Sequence, residues 1–190
     1  MTQASRLDHS TQSTISSDVS NVSATTVVID SIDLSHDNTM ALACVADSVV
    51  TLENEAQLDD FMAAYIEDTA DKLPLFVLSG GSNVLLPAAL KAIVLQPKMR
   101  GIHLTNQTDN YVDIEVMAGE NWHDLVVHTV NQGWYGLENL ALIPGLTGAA
   151  PIQNIGAYGV QLEDRLQYVR AYHLPTQTWR HLSAADCQFG

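Results

Sequence analysis

Apolar residues recur along this chain with two different periods, and the changes of period mark out its elements. Leu58, Phe61, Met62 and Tyr65 fall at i, i+3, i+4 and i+7, so one face of a helix is predicted over Asn54 to Ala70. Asn54 followed by Gln57 three residues on has the form of a capping box. Trp122, Leu125, Val126 and Val130 mark a second helical face, entered through a cap at Asn121 and running to Gln132, with Gly133 just past its end. Elsewhere the period is two. Val112, Ile114 and Val116 alternate with Asp113 and Glu115, which predicts a strand within Tyr111 to Met117. Ala41 to Leu52, Leu75 to Leu78 and Ala92 to Gln96 read as short strands. Leu166 to His173 and Thr178 to Leu182 read as a hairpin about Pro175 and Thr176. Ordered sequence is expected to begin near Val27, after a Ser/Thr-rich segment, residues 1–26, whose composition favours a disordered tail. Helices and strands alternate early and strands dominate later. The expected fold class is α+β, in two small lobes over residues 27–100 and 101–190.

Two stretches have no period at all. In FVLSGGSNVLLP, Phe76 to Pro87, an apolar run is interrupted by Ser79, Gly80, Gly81, Ser82 and Asn83. Two readings stand. The stretch is a plain turn, or it is a loop whose glycines let backbone N–H groups approach an anion, with the hydroxyl and amide side chains as extra donors. It is neither G-x-G-x-x-G nor a Walker-type loop. From Gly136 to Gly159 the chain is again rich in glycine and poor in charge, with Pro144-Gly145, Gly148-Ala149-Ala150-Pro151 and Gly156-Ala157-Tyr158-Gly159. A long irregular segment in a compact domain is usually functional. Two small-residue loops after apolar segments suggest two walls of a cleft for a flat ligand bearing a pyrophosphate, a dinucleotide such as FAD. A tight Gly/Pro-rich corner of the core is the other reading.

Charge narrows the partners. The 190 residues carry a formal net charge of −14 with eight Lys and Arg, so a nucleic-acid partner is not expected. A bound phosphate is better held by amides than by a basic patch. The two cysteines, Cys44 and Cys187, have no metal-ligand spacing and are expected as reduced thiols. No apolar run is long enough for a membrane span and no secretion signal is evident, which points to a soluble cytoplasmic protein. His123 and His128, at i and i+5, do not share a metal-binding face. Glu120, Asp124 and Glu138 read as caps and dipole partners, and Asp59-Asp60 and Glu67-Asp68 as a solvated face. Trp122 reads as core.

Three segments, FVLSGGSNVLLP, AGENWHDLV and GLENLALIPGLTGAAPIQNIGAYGVQL, closely resemble the MurB family of UDP-N-acetylenolpyruvoylglucosamine reductases, over nearly all of the chain from Asn38 onward. Asn38-Thr39-Met40 resembles that family's Asn-Thr-aromatic stretch, with Met in place of the aromatic. The resemblance implies a vanillyl-alcohol-oxidase type of FAD-binding domain, two α+β lobes clasping an extended FAD, followed by a substrate domain. It implies an enzyme in which NADPH reduces FAD and the reduced flavin passes hydride to UDP-N-acetylglucosamine enolpyruvate, giving UDP-N-acetylmuramate for peptidoglycan. By the same resemblance Ser79, Gly80, Gly81, Ser82 and Asn83 hold the pyrophosphate. Pro144, Gly145, Gly148, Ala149, Ile152 and Gly156 line the adenosine and flavin side, with alanine at 149 and 150 where many relatives have serine. Tyr158 faces the nicotinamide or substrate pocket, or else packs in the core. The family's Arg after a Phe-Gly, its proton-donating Ser and its C-terminal Glu fall outside these 190 residues. The chain is accordingly expected to be the FAD-binding part of a longer reductase, inactive alone. A different flavin oxidoreductase of the same fold, or a non-catalytic nucleotide-binding remnant, are the competing readings.

Overall fold

The computed structural model describes residues 28–67 and 72–189. The expected tail, residues 1–26, lies outside them, as do Asp68 to Ala70 of the first expected helix. The elements run β1 (Val28–Asp33), β2 (Val45–Leu52), α1 (Glu55–Glu67), β3 (Leu75–Val77), β4 (Ala89–Pro97), β5 (Ile102–Gln107), β6 (Val112–Val116), α2 (Trp122–Asn131), β7 (Gly156–Ala157), β8 (Val160–Gln161), β9 (Tyr168–His173) and β10 (Thr178–Ser183).

β1, β2, β4 and β3 form one sheet in that order, with β2, β4 and β3 parallel and β1 antiparallel at the edge. Its central strands are buried on both faces. Val49 and Val94 pack into one cluster with Leu34, Cys44, Leu78 and Leu86. Their neighbours Val50 and Leu95 pack into another, with Leu58, Phe61 and Met62 of α1. This two-sided burial is why parallel strands read as continuous apolar runs rather than alternations. The third cluster joins α2 (Trp122, Leu125, Val126) to Leu140, Ala150 and Leu162. The β9–β10 hairpin reaches back to the first half: Tyr172 and Trp179 pack against the α1 cluster, and Arg170 lies over the Trp179 ring at 4.3 Å and pairs with Glu55.

The caps form as the sequence predicts, with one adjustment. Asn121 Oδ1 accepts the Asp124 N–H at 3.1 Å, and Gly133 takes a left-handed φ of 74° just past α2. Asn54 Oδ1 accepts the Gln57 N–H at 3.0 Å, while Gln57 Oε1 accepts from Glu53 N–H at 2.6 Å, one residue earlier than a standard box. On α2 the apolar stripe differs from expectation. Val130 is 39% exposed, and Thr129 takes the buried place, its hydroxyl donating to the Val126 carbonyl at 2.9 Å. With its hydroxyl satisfied inside its own helix, Thr129 can be buried although hydrophobicity alone does not flag it. β5, the antiparallel partner of β6, offers only the short apolar alternation of Ile102 and Leu104, and Leu104 is turned outward.

β3 and β4 are adjacent and parallel, yet no helix connects them. Parallel neighbours require the chain to return the full length of the strand before pairing again. Here the return is the SGGSN loop and the extended segment after it, anchored by Leu78 before and Leu86 after, both buried in one cluster.

Candidate functional site

Among the described residues, no backbone N–H from Ser79 to Asn83 donates to a protein acceptor. The Ser79 hydroxyl is buried and likewise unpartnered. The buried Ser79 hydroxyl is costly to leave unpaired unless something outside the chain satisfies it, and the neighbouring amides are free to bind water or a ligand. The loop's tightness depends on glycine. Gly81 has φ 62°, and a Cβ there would lie 1.9 Å from the Asp37 carbonyl oxygen. A Cβ on Gly80 would lie 3.3 Å from Gly145 Cα in the second glycine-rich segment.

That second segment is pinned from behind. The N–H of Trp122 donates to the Gly145 carbonyl at 3.1 Å, Thr147 N–H to Glu120 O at 2.9 Å and Gly148 N–H to Ala118 O at 3.0 Å. It lies so close to the turn between β6 and α2 that a Cβ on Gly148 would meet Ala118 Cβ at 2.7 Å. The two loops then join through side chains. Ser82 Oγ donates to the Pro144 carbonyl at 3.2 Å, and Asn83 Nδ2 donates to Gln153 Oε1 at 3.1 Å.

The structure therefore brings Ser82, Pro144, Gly145 and Ala149 around one small pocket, shared with Trp122, Ala150 and Ile155. Gly148 and Ile152 line a separate, larger cleft of about 640 Å³. Its walls include Val77, Met99, Trp122, Tyr172 and Trp179, so it is broad, aromatic and largely apolar. Gly156 and Tyr158 line neither space. They belong to the β7–β8 hairpin, whose two-residue turn, Tyr158-Gly159, has φ 51° and 78°. Tyr158 is 87% exposed, so the expectation that it packs in the core is corrected: positive φ at the hairpin tip aims it outward. Such a backbone is unfavourable for a residue with a bulky side chain.

The remaining candidates have structural partners. Glu120 accepts the Gly101 N–H at 2.7 Å and pairs with Arg100 at 3.0 Å. Glu138 accepts the Gly136 N–H, His123 Nδ1 accepts the Leu142 N–H, and His128 packs edge-on to Trp134. Trp122 is buried, its Nε1 donating to Leu140 O at 2.8 Å. Among the described residues no His/Cys/Asp/Glu group is arranged to hold a metal ion, and no helix is long and apolar enough to cross a membrane. Sequence reasoning missed the Tyr172–Trp179 wall of the cleft, because a hairpin's packing partner is not encoded in its own period.

A pyrophosphate fits the first loop on the structure's own terms. The donors are the neutral backbone amides of Ser79 to Asn83 and the Ser79 hydroxyl, none with a protein partner among the described residues, and the glycines let the loop fold closely against Asp37 and Gly145. A planar apolar ring fits the larger cleft, whose volume is that of a cofactor site.

Residues 46–183 match the FAD binding domain family, and the chain belongs to it. Its curated relatives are more specific. It is 80% identical over 161 residues to the UDP-N-acetylenolpyruvoylglucosamine reductase of Psychrobacter arcticus, covering 85% of this chain and 43% of that protein. It is 45% identical over 158 residues to the enzyme of that name from Bordetella pertussis, covering 83% of this chain and 44% of that protein. The chain thus spans less than half the length of the curated relatives it matches. The crystal structure of the reductase (MurB) from Thermus caldophilus superposes with a TM-score of 0.67 at 22% identity, over 87% of this chain and 55% of that one. The fold is that of the MurB FAD-binding region, as the α+β expectation required.

Proposed function

We propose that this chain is the FAD-binding portion of a UDP-N-acetylenolpyruvoylglucosamine reductase. The observation that carries the reading is the run of unpartnered amides from Ser79 to Asn83 beside the buried, unpaired Ser79 hydroxyl. The relatives that share most of its length bear that enzyme's name. Ser79, Gly80, Gly81, Ser82 and Asn83 hold the pyrophosphate. Pro144, Gly145 and Ala149 close the opposite wall. Gly148 and Ile152, at the larger cleft, border the ring system, and Gly156 supports it from the neighbouring hairpin. Alanine at 149 and 150 leaves those contacts to the backbone. The lobes of residues 27–100 and 101–190 clasp the cofactor from two sides.

A bound FAD would supply the hydride-transfer chemistry between NADPH and the enolpyruvyl double bond of the UDP-sugar. The residues of this chain bind and orient it. Amides fix the phosphates without added cations, and the apolar cleft wall keeps water from the ring face. Tyr158, exposed on its tip, meets the nicotinamide or the substrate. The acid–base groups that complete the reaction are supplied outside these 190 residues, and the setting is the cytoplasm.

Comparing FAD with riboflavin by fluorescence titration tests the cradle. FAD is expected to bind about tenfold or more tightly, since charge-assisted hydrogen bonds from the amides reach only a ligand with phosphates. Equal affinities would remove the loop from the site. In a chain extended to the length of the relatives, NADPH oxidation should depend on the enolpyruvyl UDP-sugar. Oxidation indifferent to that sugar would reject the reductase assignment.

A further inference from the structure

The SGGSN loop does not set its own orientation. The segment between β1 and β2 packs against it, and Thr39 makes the contact. Its backbone N–H donates to the Gly81 carbonyl at 3.1 Å. Its hydroxyl lies 3.5 Å from both the Gly81 and the Ser82 carbonyl oxygens, a shared donor with two long arms. In a trans peptide the C=O and the following N–H point in opposite directions. Two successive carbonyls drawn toward Thr39 therefore turn the N–H groups of Ser82 and Asn83 away from it, together and to the same side.

Thr39 is itself held by the residue before it. Asn38 is only 6% exposed. Its Nδ2 donates to the carbonyls of Leu34 and Leu42 at 3.0 Å each, and its Oδ1 accepts the Leu42 N–H at 2.9 Å. Nδ2 also lies 3.4 Å from the Ser35 carbonyl. One buried amide thus closes the whole 34–42 loop. The Asp37 carbonyl of that loop occupies the space a Gly81 side chain would need, and the Asp37 carboxylate accepts from Gln96 Nε2 of β4 at 3.2 Å.

We propose that Thr39, fixed by Asn38, is a positioning residue that aims the Ser82 and Asn83 amides at the cofactor's pyrophosphate. This rests on the FAD reading above. Thr39 contacts no ligand in this scheme. It contributes by having the two amides already oriented before binding.

The test is FAD titration of the full chain, well below its melting transition, with the ³¹P spectrum of bound FAD as a second readout. Thr39→Val removes the hydroxyl and keeps the shape; Thr39→Ser restores the hydroxyl. Thr39 is exposed, so neither should threaten folding. Thr39→Val is expected to weaken FAD binding about three- to tenfold and to move the ³¹P resonances, with Thr39→Ser close to the parent. Asn38→Ala should weaken binding about tenfold or more. Phe61→Leu, in the α1 cluster, should lower the melting temperature while leaving affinity and ³¹P shifts unchanged. If Thr39→Val binds as the parent does with unmoved resonances, the positioning role is wrong while the FAD reading stands. If Asn38→Ala does not fold, the Thr39 pair decides alone. If the parent chain binds no FAD, both fall.

Discussion

Gly81 shows how a single position can be closed to every side chain for two reasons at once. Its φ of 62° disfavours any Cβ, and the Asp37 carbonyl occupies the place that Cβ would take. Gly81→Ala is expected to destabilise the fold by about 2 kcal/mol or more and to abolish FAD retention, read by thermal melting and flavin absorbance. A small residue was legible here from the interrupted apolar run. The obstacle was not, since it comes from a distant loop that only folding brings near. The cysteines give a second test. Burial first, and the Asp33 carboxylate second, push the Cys44 thiol up, whereas Cys187 is half-exposed. One thiol should react quickly with an aromatic disulfide reagent in the folded chain and two after denaturation; two fast thiols would contradict the buried site. Asp33 and Asp186 are held below the ordinary aspartate range, Asp33 by the Ser35 N–H and Asp186 by the Ser183 hydroxyl and N–H. A depressed carboxylate stabilises the fold above its unfolded value and loses that contribution as pH falls through the folded one. The melting temperature should therefore decline as pH drops below about 4, and Asp186→Asn should flatten part of that decline.

At the scale of elements, α2 both packs the third cluster and carries the strand-like bond from Trp122 N–H to Gly145 O that sets the second loop. Its N-cap bond is a single side-chain contact. Asn121→Ala should cost about 1 kcal/mol in denaturant unfolding, with a smaller effect on FAD affinity than any change at Gly81. Both helices were legible because each buries one face and carries a side-chain cap. β5 and the Thr129 position were not, because Leu104 faces outward and Thr129 satisfies its hydroxyl within the helix. The β9–β10 hairpin was legible as a hairpin only. That Tyr172 and Trp179 would wall a cleft with Met99 and Val77 depends on packing between halves of the chain, which no local period records.

For the molecule as a whole, charge decides how an anionic ligand can be held. With a net charge of −14, long-range electrostatics oppose a pyrophosphate, and short-range amide bonds must overcome that repulsion. Raising the salt concentration screens the repulsion more than it weakens desolvated hydrogen bonds. FAD affinity should hold or rise between roughly 0.05 and 0.5 M salt, whereas a basic binding patch would lose affinity steeply over that range. The measurement that bears most directly on the whole account is the visible absorption spectrum of the purified chain after mixing with FAD and desalting, alongside its circular dichroism. A flavin band that persists in the parent chain and disappears in the Gly81→Ala variant is the expected result. A chain that is folded by circular dichroism yet colourless would contradict it, and the loop between β3 and β4 would then be a turn and nothing more.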